Sequence, residues 1–491
     1  MSTETELKFI VSPEARAGLE RLPKFQNTKP NHQAQSSVYY DTPQYALVRQ
    51  GILLRVRDIG GSFIQTIKTP REHEAAARGE QEEEVQSGQP ELARSPLKTT
   101  VDPEALSPVF RTEINRTSRL FNLDHAIIEA AFDEGAVVAG NRHEPIRELE
   151  LELKAGDPAG LHRFALGLHE QVPLVLGLEA KSDRGFRLLG LPPHPVKAPK
   201  LELEREIRTF PAFRQIISSI LSHLLANAGP ALHGDAEGVH QIRIAIRRLR
   251  SALMLFQPHL NRTAVAGFEA ELKRSGRVFG ETRDWDVFCL QSLPEARAGG
   301  VPHDWVDLLA AAAGPGRAAA HTGSERELSD PRWTGLILGL LAWVHEEPDF
   351  VGQEALSRRL RRTGPALLDR VAQKASRRAR QARSDSSADL HALRKTLKKL
   401  RYDCEFMAGI YSRKRVKSYR KLCEDLQDLL GAINDAAGTT RLAELLRAEG
   451  HSELAPAAGA LAEWSAARRN EALQHVPDAL REFEAAAPFW K

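Results

Sequence analysis

The octapeptide Arg147-Glu148-Leu149-Glu150-Leu151-Glu152-Leu153-Lys154 alternates charge and leucine with a period of two. On an extended strand, residues two apart share a face, so the carboxylates point one way and the leucines the other. The same alternation opens the chain, where Glu4, Glu6 and Lys8 oppose Thr5, Leu7 and Phe9. Arg55 and Arg57 alternate with Leu54 and Val56, Thr66 and Lys68 flank Ile67, and Glu80, Glu82 and Glu84 form another row. Working outward, residues 3–10, 37–40, 52–58, 63–69, 79–85, 126–132 and 147–154 predict strands separated by polar turns.

A charged row is ordinarily the solvated face of a sheet. Solvated faces mix Thr, Ser, Gln and Lys, whereas several strands here carry almost pure carboxylate or pure guanidinium rows. If the sheet closes with these rows inward, it encloses a polar tunnel with acidic and basic zones. Clustered carboxylates repel one another unless a divalent cation binds, and all-oxygen sites suit Mg²⁺ or Mn²⁺. Clustered Arg and Lys in the same cavity call for a polyanion, most simply phosphate. Carboxylate, metal, phosphate and flanking guanidinium together make the constellation for phosphoryl transfer to water.

These motifs resemble the CYTH superfamily, the triphosphate tunnel metalloenzymes. Glu4-Thr5-Glu6-Leu7-Lys8 matches its ExExK signature, followed in order by YYDTP at 39–43, LRVR at 54–57, QTIK at 65–68 and EEEV at 82–85. Arg116, Asp133 in AAFDEG, ELELELK at 148–154 and AKSDRGF at 180–186 complete the series. The bacterial inorganic triphosphatase branch is similar in the EPIxELELEL stretch and the closing PFW. The resemblance implies an eight-stranded antiparallel tunnel holding Mg²⁺ or Mn²⁺ and inorganic triphosphate. It assigns Glu4, Glu6, Glu148, Glu150 and Glu152 to metal, and Lys8, Arg55, Arg57, Lys68, Arg116, Lys181 and Arg184 to phosphates. Glu82, Glu84 and Asp133 complete the acidic wall. One departure stands out: many members carry Arg where this chain has Glu80, and Arg78, one step back on the same face, is the candidate replacement.

At 190–200, GLPPHPVKAPK contains four prolines, which cannot continue a helix and suit an extended linker. The division predicted is a domain over 1–195 and another over 205–491. From about Pro211 the text is Ala/Leu/Arg-rich at helical period, with loop-like breaks expected around 314–323 and 383–389. His240, Arg243, Arg247 and Arg250 fall within an arc of about 80° on one helix face. His391, Arg394, Lys398 and Arg401 repeat those offsets, Gly280 and Gly431 each follow 40 residues later, and Asp284 and Asp435 four after that. The shift of 151 residues reads as an internal duplication.

Two basic faces in one duplicated frame call for a polyanion. Aromatics do not interleave with the cations as base stacking requires, which disfavours nucleic acid. HxxR…RRLR, GxxRDWDV, HxxRKxxKKLRY and LQDLLGAIND resemble the CHAD domain, the conserved-histidine α-helical domain. That resemblance implies an all-α duplicated bundle binding inorganic polyphosphate, and association with polyphosphate granules. It points to His240, Arg243, Arg247, Arg250, His391, Arg394, Lys395, Lys398, Lys399 and Arg401, with Arg248 at the edge of the face. Asp284, Asp286, Asn434 and Asp435 are read as structural partners of the basic helices.

Charge follows the same division: residues 1–200 carry 25 Lys+Arg against 28 Asp+Glu, residues 201–491 carry 43 against 37. Composition excludes a mostly disordered chain, since 42% of residues are hydrophobic. Cys289, Cys404 and Cys423 are too scattered for a disulfide framework or metal cluster. The start lacks a secretory signal and no apolar stretch reaches bilayer length, so a cytoplasmic location without membrane association is expected. The expectation is a multidomain α+β protein, hydrolysing triphosphate in its tunnel and gripping polyphosphate with its helices. The alternative is a catalytically weak or inactive polyphosphate-binding protein, with Glu80 as its support. The sequence does not address oligomeric state.

Overall fold

The computed structural model describes residues 5–71, 74–92, 97, 102–345, 357–382, 386–448 and 452–491, with backbone alone for 70–71, 74–78 and 103. Glu4 therefore lies outside the described residues, as does the side chain of Arg78.

Among the described residues nine strands occur: β1 (Glu6–Ile10), β2 (Asn31–Asp41), β3 (Leu53–Ile59), β4 (Ser62–Arg71), β5 (Glu74–Val85), β6 (Ser107–Leu123), β7 (Ala126–Ala139), β8 (Arg142–Gly156) and the two-residue β9 (Val175–Leu176). They form one antiparallel sheet in the order β5-β4-β3-β2-β6-β7-β8-β1-β9. The eight long strands are those of the expected tunnel. β6 was not among the predicted strands: both its faces are polar in the middle, where Glu113, Asn115 and Thr117 alternate with Thr112, Arg116 and Ser118, so no apolar stripe marks it.

The leucine face of β8 is not solvated. Leu149 and Leu151 are fully buried, and helix α2 (Pro158–Gln171) packs on β7 and β8 with Leu161, Ala165 and Leu168 equally buried. Pro158 opens α2, and the Asp157 carboxylate accepts from Ala159 N at 2.9 Å, the arrangement that starts a helix at that residue. α1 (Pro13–Glu20) begins the same way, behind Ser12. With the apolar face covered by helices, the charged rows are left to face one another across the curved sheet. A third helix, α3 (Lys181–Leu188), packs against β6, β7 and β8. A Cβ on Gly185 would lie 2.2 Å from the Phe110 ring, so only glycine allows α3 this close.

The remaining long helices are α4 (Thr209–Ala226), α5 (Ala236–Phe256), α6 (Arg262–Val287), α7 (His303–Leu328), α8 (Pro331–His345), α9 (Leu360–Gln381), α10 (Ser387–Phe406), α11 (Arg413–Ala448) and α12 (Ala455–Ala485). The first residues of α4, α5 and α6 (Thr209, Ala236, Arg262) each lie 151 positions before those of α9, α10 and α11 (Leu360, Ser387, Arg413). Equivalent residues also meet: Arg208 bridges Arg359, Thr209 N donates to Arg358 O, and Leu360 N donates to Ile207 O, both at 2.9 Å. The reciprocal pair of bonds marks a local pseudo-twofold relation between the repeats.

The expected loop at 314–323 is a correction, because α7 is helical throughout it despite Pro315. Gly316 is there for packing: a Cβ on it would come within 2.7 Å of the Trp285 ring, in a core that α7 shares with α6 and α12. The expected break at 383–389 overlaps the gap between α9 and α10, with 383–385 outside the described residues and 387–389 already in the first turn of α10.

By internal contacts the chain forms two compact units. One comprises Met1–Pro199 with Ser222–Gly238 and Glu327–Glu346; the other comprises Lys200–Leu221, Val239–Arg326 and Glu347–Lys491. The first unit thus takes in α8, which packs on α2 while Thr334 Oγ1 accepts from Leu176 N at 3.0 Å. No helix among the described residues is long and apolar enough to cross a membrane. All three cysteines are free thiols.

Candidate functional site

In the first unit a cavity of about 890 Å³ runs along the inner face of the sheet, lined from β1 to β8 and by the first turn of α3. Of the residues singled out in the sequence, the cations Lys8, Arg55, Arg57, Lys68, Arg116 and Lys181 line it, as do Glu6, Glu82, Glu150 and Glu152.

The inner wall is organised around Glu150. Its carboxylate receives Lys181 at 2.7 Å, Arg116 at 2.5 Å and Lys8 at 3.4 Å. Burial opposes ionisation, yet Lys181, Lys8 and Arg116 hold Glu150 well below the usual carboxylate range. Arg116 also forms a two-pronged pair with Asp133, both bonds at 2.7 Å. Burial pulls Lys8 down, but Glu150 and Glu6 outweigh it and raise its pKa.

The opposite wall is basic. Lys68 meets Glu80 at 3.0 Å, and Arg55 lies 3.8 Å from Glu80 and 3.7 Å from Glu82. Glu80, where the family pattern has Arg, is therefore an ion-pair partner of the basic row. Arg57 differs from its neighbours. Among the described residues it has no ion pair, its Nε is buried without a hydrogen bond, and burial and then Arg55 push it down to about 10. A guanidinium in that position has N–H donors left to offer an anion.

Four sequence-assigned residues are placed elsewhere. Glu148, read as a metal ligand, is fully buried beneath α3, held by Lys181 at 2.9 Å and by Arg184, and does not line the cavity. Arg184, read as a phosphate ligand, is buried on Glu148 in the same way. Asp133 is buried under Arg116 and Lys181, 2.8 Å from the latter. Glu84 continues the row of Glu80 and Glu82, but it is exposed and lies outside the cavity lining. The alternation puts Glu148 on the face of Glu150 and Glu84 on that of Glu82; it does not reveal that α3 covers the first of them.

The sequence reading missed Glu129. Across β1, β8 and β7, Glu6 pairs in register with Glu152 and Glu152 with Glu129, so three cavity-lining carboxylates form a row. Its signal was present, since Glu129 lies four residues before Asp133 on the same strand face. Lysines now neutralise the row: Lys8 meets Glu6 at 2.8 Å, and Lys154 meets Glu152 at 2.6 Å and Glu129 at 3.2 Å. Among the described residues no three ligating side chains already converge as a metal site. The all-oxygen donor set nevertheless fits a hard divalent cation, with Glu4 two residues from Glu6 in sequence.

In the second unit a groove of about 720 Å³ lies among α5, α6, α10 and α11. From α5 come Arg243, Arg247 and Arg250; from α10 come His391, Arg394, Lys395, Lys398 and Lys399. Arg243 donates to Gly280 O at 2.8 Å and lies 3.3 Å from Asp284, while Arg394 lies 3.5 Å from Asp435. Asp286 instead holds Arg317 and His321 of α7, at 2.8 and 2.9 Å. Burial and the neighbouring Arg394, Arg247 and Arg243 push Lys398 down to about 7. The groove holds more positive charge than it holds partners.

Three assigned residues do not line the groove. Arg248 and Arg401 both turn to Glu405, at 3.3 and 3.4 Å, and lie over the Tyr402 ring. His240 is pushed down to about 4 by burial and by Arg283, Arg247 and Arg243, so it is neutral at pH 7. His391 is also lowered, by burial and Lys395, and its Nδ1 is bonded to Asn434 Oδ1 at 2.8 Å. Lys273, Arg277 and Arg441 line the groove and were not foreseen, because neither α6 nor α11 carries a basic stripe conspicuous enough to mark them.

Comparison with known proteins agrees with this two-part architecture. The CYTH domain model matches residues 2–186, and the CHAD domain model matches 215–444. An inorganic triphosphatase of Haemophilus influenzae is 29% identical over 195 residues, which is 38% of this chain and 55% of that protein. The chain thus spans about half the length of that relative. An uncharacterised protein of Mycobacterium tuberculosis is 26% identical over 433 residues, 80% of this chain and 79% of its own. The solved CHAD domain of the plant Ricinus communis superposes with a TM-score of 0.53 at 26% identity, covering 60% of this chain and 98% of that one.

Proposed function

This chain joins a CYTH domain to a CHAD domain, and on that premise we propose that it hydrolyses inorganic triphosphate in the tunnel, with Mg²⁺ or Mn²⁺, and binds inorganic polyphosphate in the helical groove. The observation that carries the reading is Arg57, half-buried and, among the described residues, without an ion pair, on the wall of a cavity whose other cations are ion-paired. The likeness to an inorganic triphosphatase over the same residues supports it.

In this reading Arg57, Arg55 and Lys68 take the phosphate oxygens on one wall, and Arg116 and Lys8 those on the other. Water attacks the terminal phosphorus, the bond to the bridging oxygen breaks, and orthophosphate and pyrophosphate leave. The guanidinium N–H groups face the oxygens on which charge builds as that bond breaks, and so act where stabilisation is largest. Lys181, locked among Asp133, Glu148 and Glu150, keeps Glu150 and hence Arg116 and Lys8 in place. Glu6, Glu152 and Glu129, with Glu4, would hold the metal, which when bound neutralises triphosphate oxygens and makes bound water more acidic. Displacing Lys8 and Lys154 from those carboxylates would free both ammonium groups for substrate. Cytoplasmic location near polyphosphate granules follows from the second activity.

The test is phosphate release from triphosphate, long-chain polyphosphate, ATP and thiamine triphosphate, each with and without Mg²⁺ or Mn²⁺. Metal-dependent turnover of triphosphate above the others is expected, and Arg57→Gln should lower its kcat/KM by roughly 10²–10³ while the fold is kept. Unchanged turnover in that variant would remove the tunnel assignment.

A further inference from the structure

We propose that the groove of the helical unit is one-ended: a bound polyphosphate chain runs out across Lys273 and Arg277 of α6, and the pseudo-symmetric exit on α11 is closed. The proposal rests on the polyphosphate reading above. Because the unit is duplicated, each group at one end has a counterpart 151 residues away, and the two ends can be compared position by position.

At the first end Arg250, Lys273, Arg277 and Lys399 line the groove. Among the described residues, none of these four has an ion pair; Lys399 Nζ meets only the Met254 sulfur, at 3.4 Å. Their counterparts are Arg401, Glu424, Asp428 and Arg248, and the counterpart of Met254 is Glu405. Two cations have become acids, and a thioether has become a carboxylate. Glu405 takes Arg248 at 3.3 Å, Arg401 at 3.4 Å and Arg420 at 3.2 Å, and Arg420 is held also by Glu424 at 3.1 Å. None of these second-end residues lines the groove.

The charge balance differs accordingly. Including Glu269 and its counterpart Arg420, the first end carries +3 and the second is neutral. A polyanion gains by releasing counterions wherever it neutralises a free cation. It gains nothing where each guanidinium already has a carboxylate, and there it meets Glu424 and Asp428 besides. Lys273 and Arg277 stand one helical turn apart on α6 and are both exposed, which suits an extended chain leaving the groove. The duplicated scaffold therefore gives polyphosphate one exit, and the acids on α11 select against the other.

The experiment uses the full chain and fluorescence-detected binding of long-chain polyphosphate over a salt series. Lys273→Gln combined with Arg277→Gln should weaken binding about tenfold and lower the slope of log affinity against log salt by roughly 1.5, as two lost phosphate contacts require. The reciprocal variant, Glu424→Lys with Asp428→Arg, should steepen that slope by a similar amount. If the wild-type chain binds and both variants keep its slope, the one-ended groove is wrong. If the α6 variant keeps the wild-type affinity and slope while the α11 variant strengthens binding, the chain leaves past α11, the polarity is reversed and the proposal fails. Absence of wild-type binding would instead overturn the polyphosphate reading on which it stands.

Discussion

Lys398 is the residue at which the groove's excess charge becomes measurable. Burial and the cations Arg394, Arg247 and Arg243 lower its pKa to about 7, against the weaker pull of Asp435. As pH rises through 7 the ammonium loses its proton and the groove loses a positive charge. A bound polyanion favours the charged form, so binding above pH 7 draws a proton from solution. Polyphosphate affinity should therefore fall between pH 6 and pH 8, by up to about tenfold. Titrations at both pH values, in buffers of different ionisation heat, report the loss and the proton uptake together. Lys398→Arg, which stays charged throughout, should flatten the profile; an unchanged profile in that variant would place the titrating group elsewhere. The cation itself was legible in the sequence because helical offsets are local. Arg248 and Arg401 turn to Glu405 and not into the groove, which a helix wheel does not reveal, because it gives the direction of a side chain and not what waits there. Glu405, four residues beyond Arg401 on the same helix, was the available signal.

At the level of elements, period-two charge rows made the strands readable, and the leucine rows gave the buried face. What the rows could not convey is which helix covers which end. α3 lays Lys181 and Arg184 onto Glu148 and Asp133 and converts two expected site acids into buried ion-pair partners. That arrangement predicts a stability role for a lysine in the cavity wall. In Lys181→Met, the buried Asp133 and Glu148 lose a shared cation, and Glu150 loses one of three. Removing one partner of a buried pair costs about 3–5 kcal/mol, so the urea midpoint of the first unit should drop markedly, whereas Arg57→Gln should leave it nearly unmoved. Equal midpoints for Lys181→Met and wild type would mean that these carboxylates do not depend on Lys181. α7 teaches the same lesson from the other side. Gly314, Pro315 and Gly316 read locally as a turn, but the tertiary fit of Gly316 against Trp285 keeps the helix running.

For the molecule as a whole, the two sites are built from separate compact units and by different means. The tunnel uses paired charges: among the described residues every cation that lines the cavity except Arg57 is held by a carboxylate. The groove mixes paired and unpaired ones: Arg243, Arg394 and Arg441 have carboxylate partners, but among the described residues Arg247, Arg250, Lys395 and Lys398 have no ion pair, so a polyanion there meets cations already free. The first design suits turnover, in which partners are exchanged and regained; the second suits retention. The proposed function divides the labour between the two sites. Arg247→Glu combined with Lys398→Glu should abolish long-chain polyphosphate binding at moderate salt, because two contacts become repulsions at the centre of the groove. Triphosphate turnover by that variant should stay within about twofold of wild type, because effects at separated, unlinked sites add independently. Glu152→Gln should do the reverse, cutting turnover while polyphosphate binding and its salt slope persist. Measuring both activities on both variants separates the cases. If the groove variant also loses turnover of triphosphate, a substrate too short to need a tether, the two units share one energetic system and the tunnel depends on the groove for its competent state.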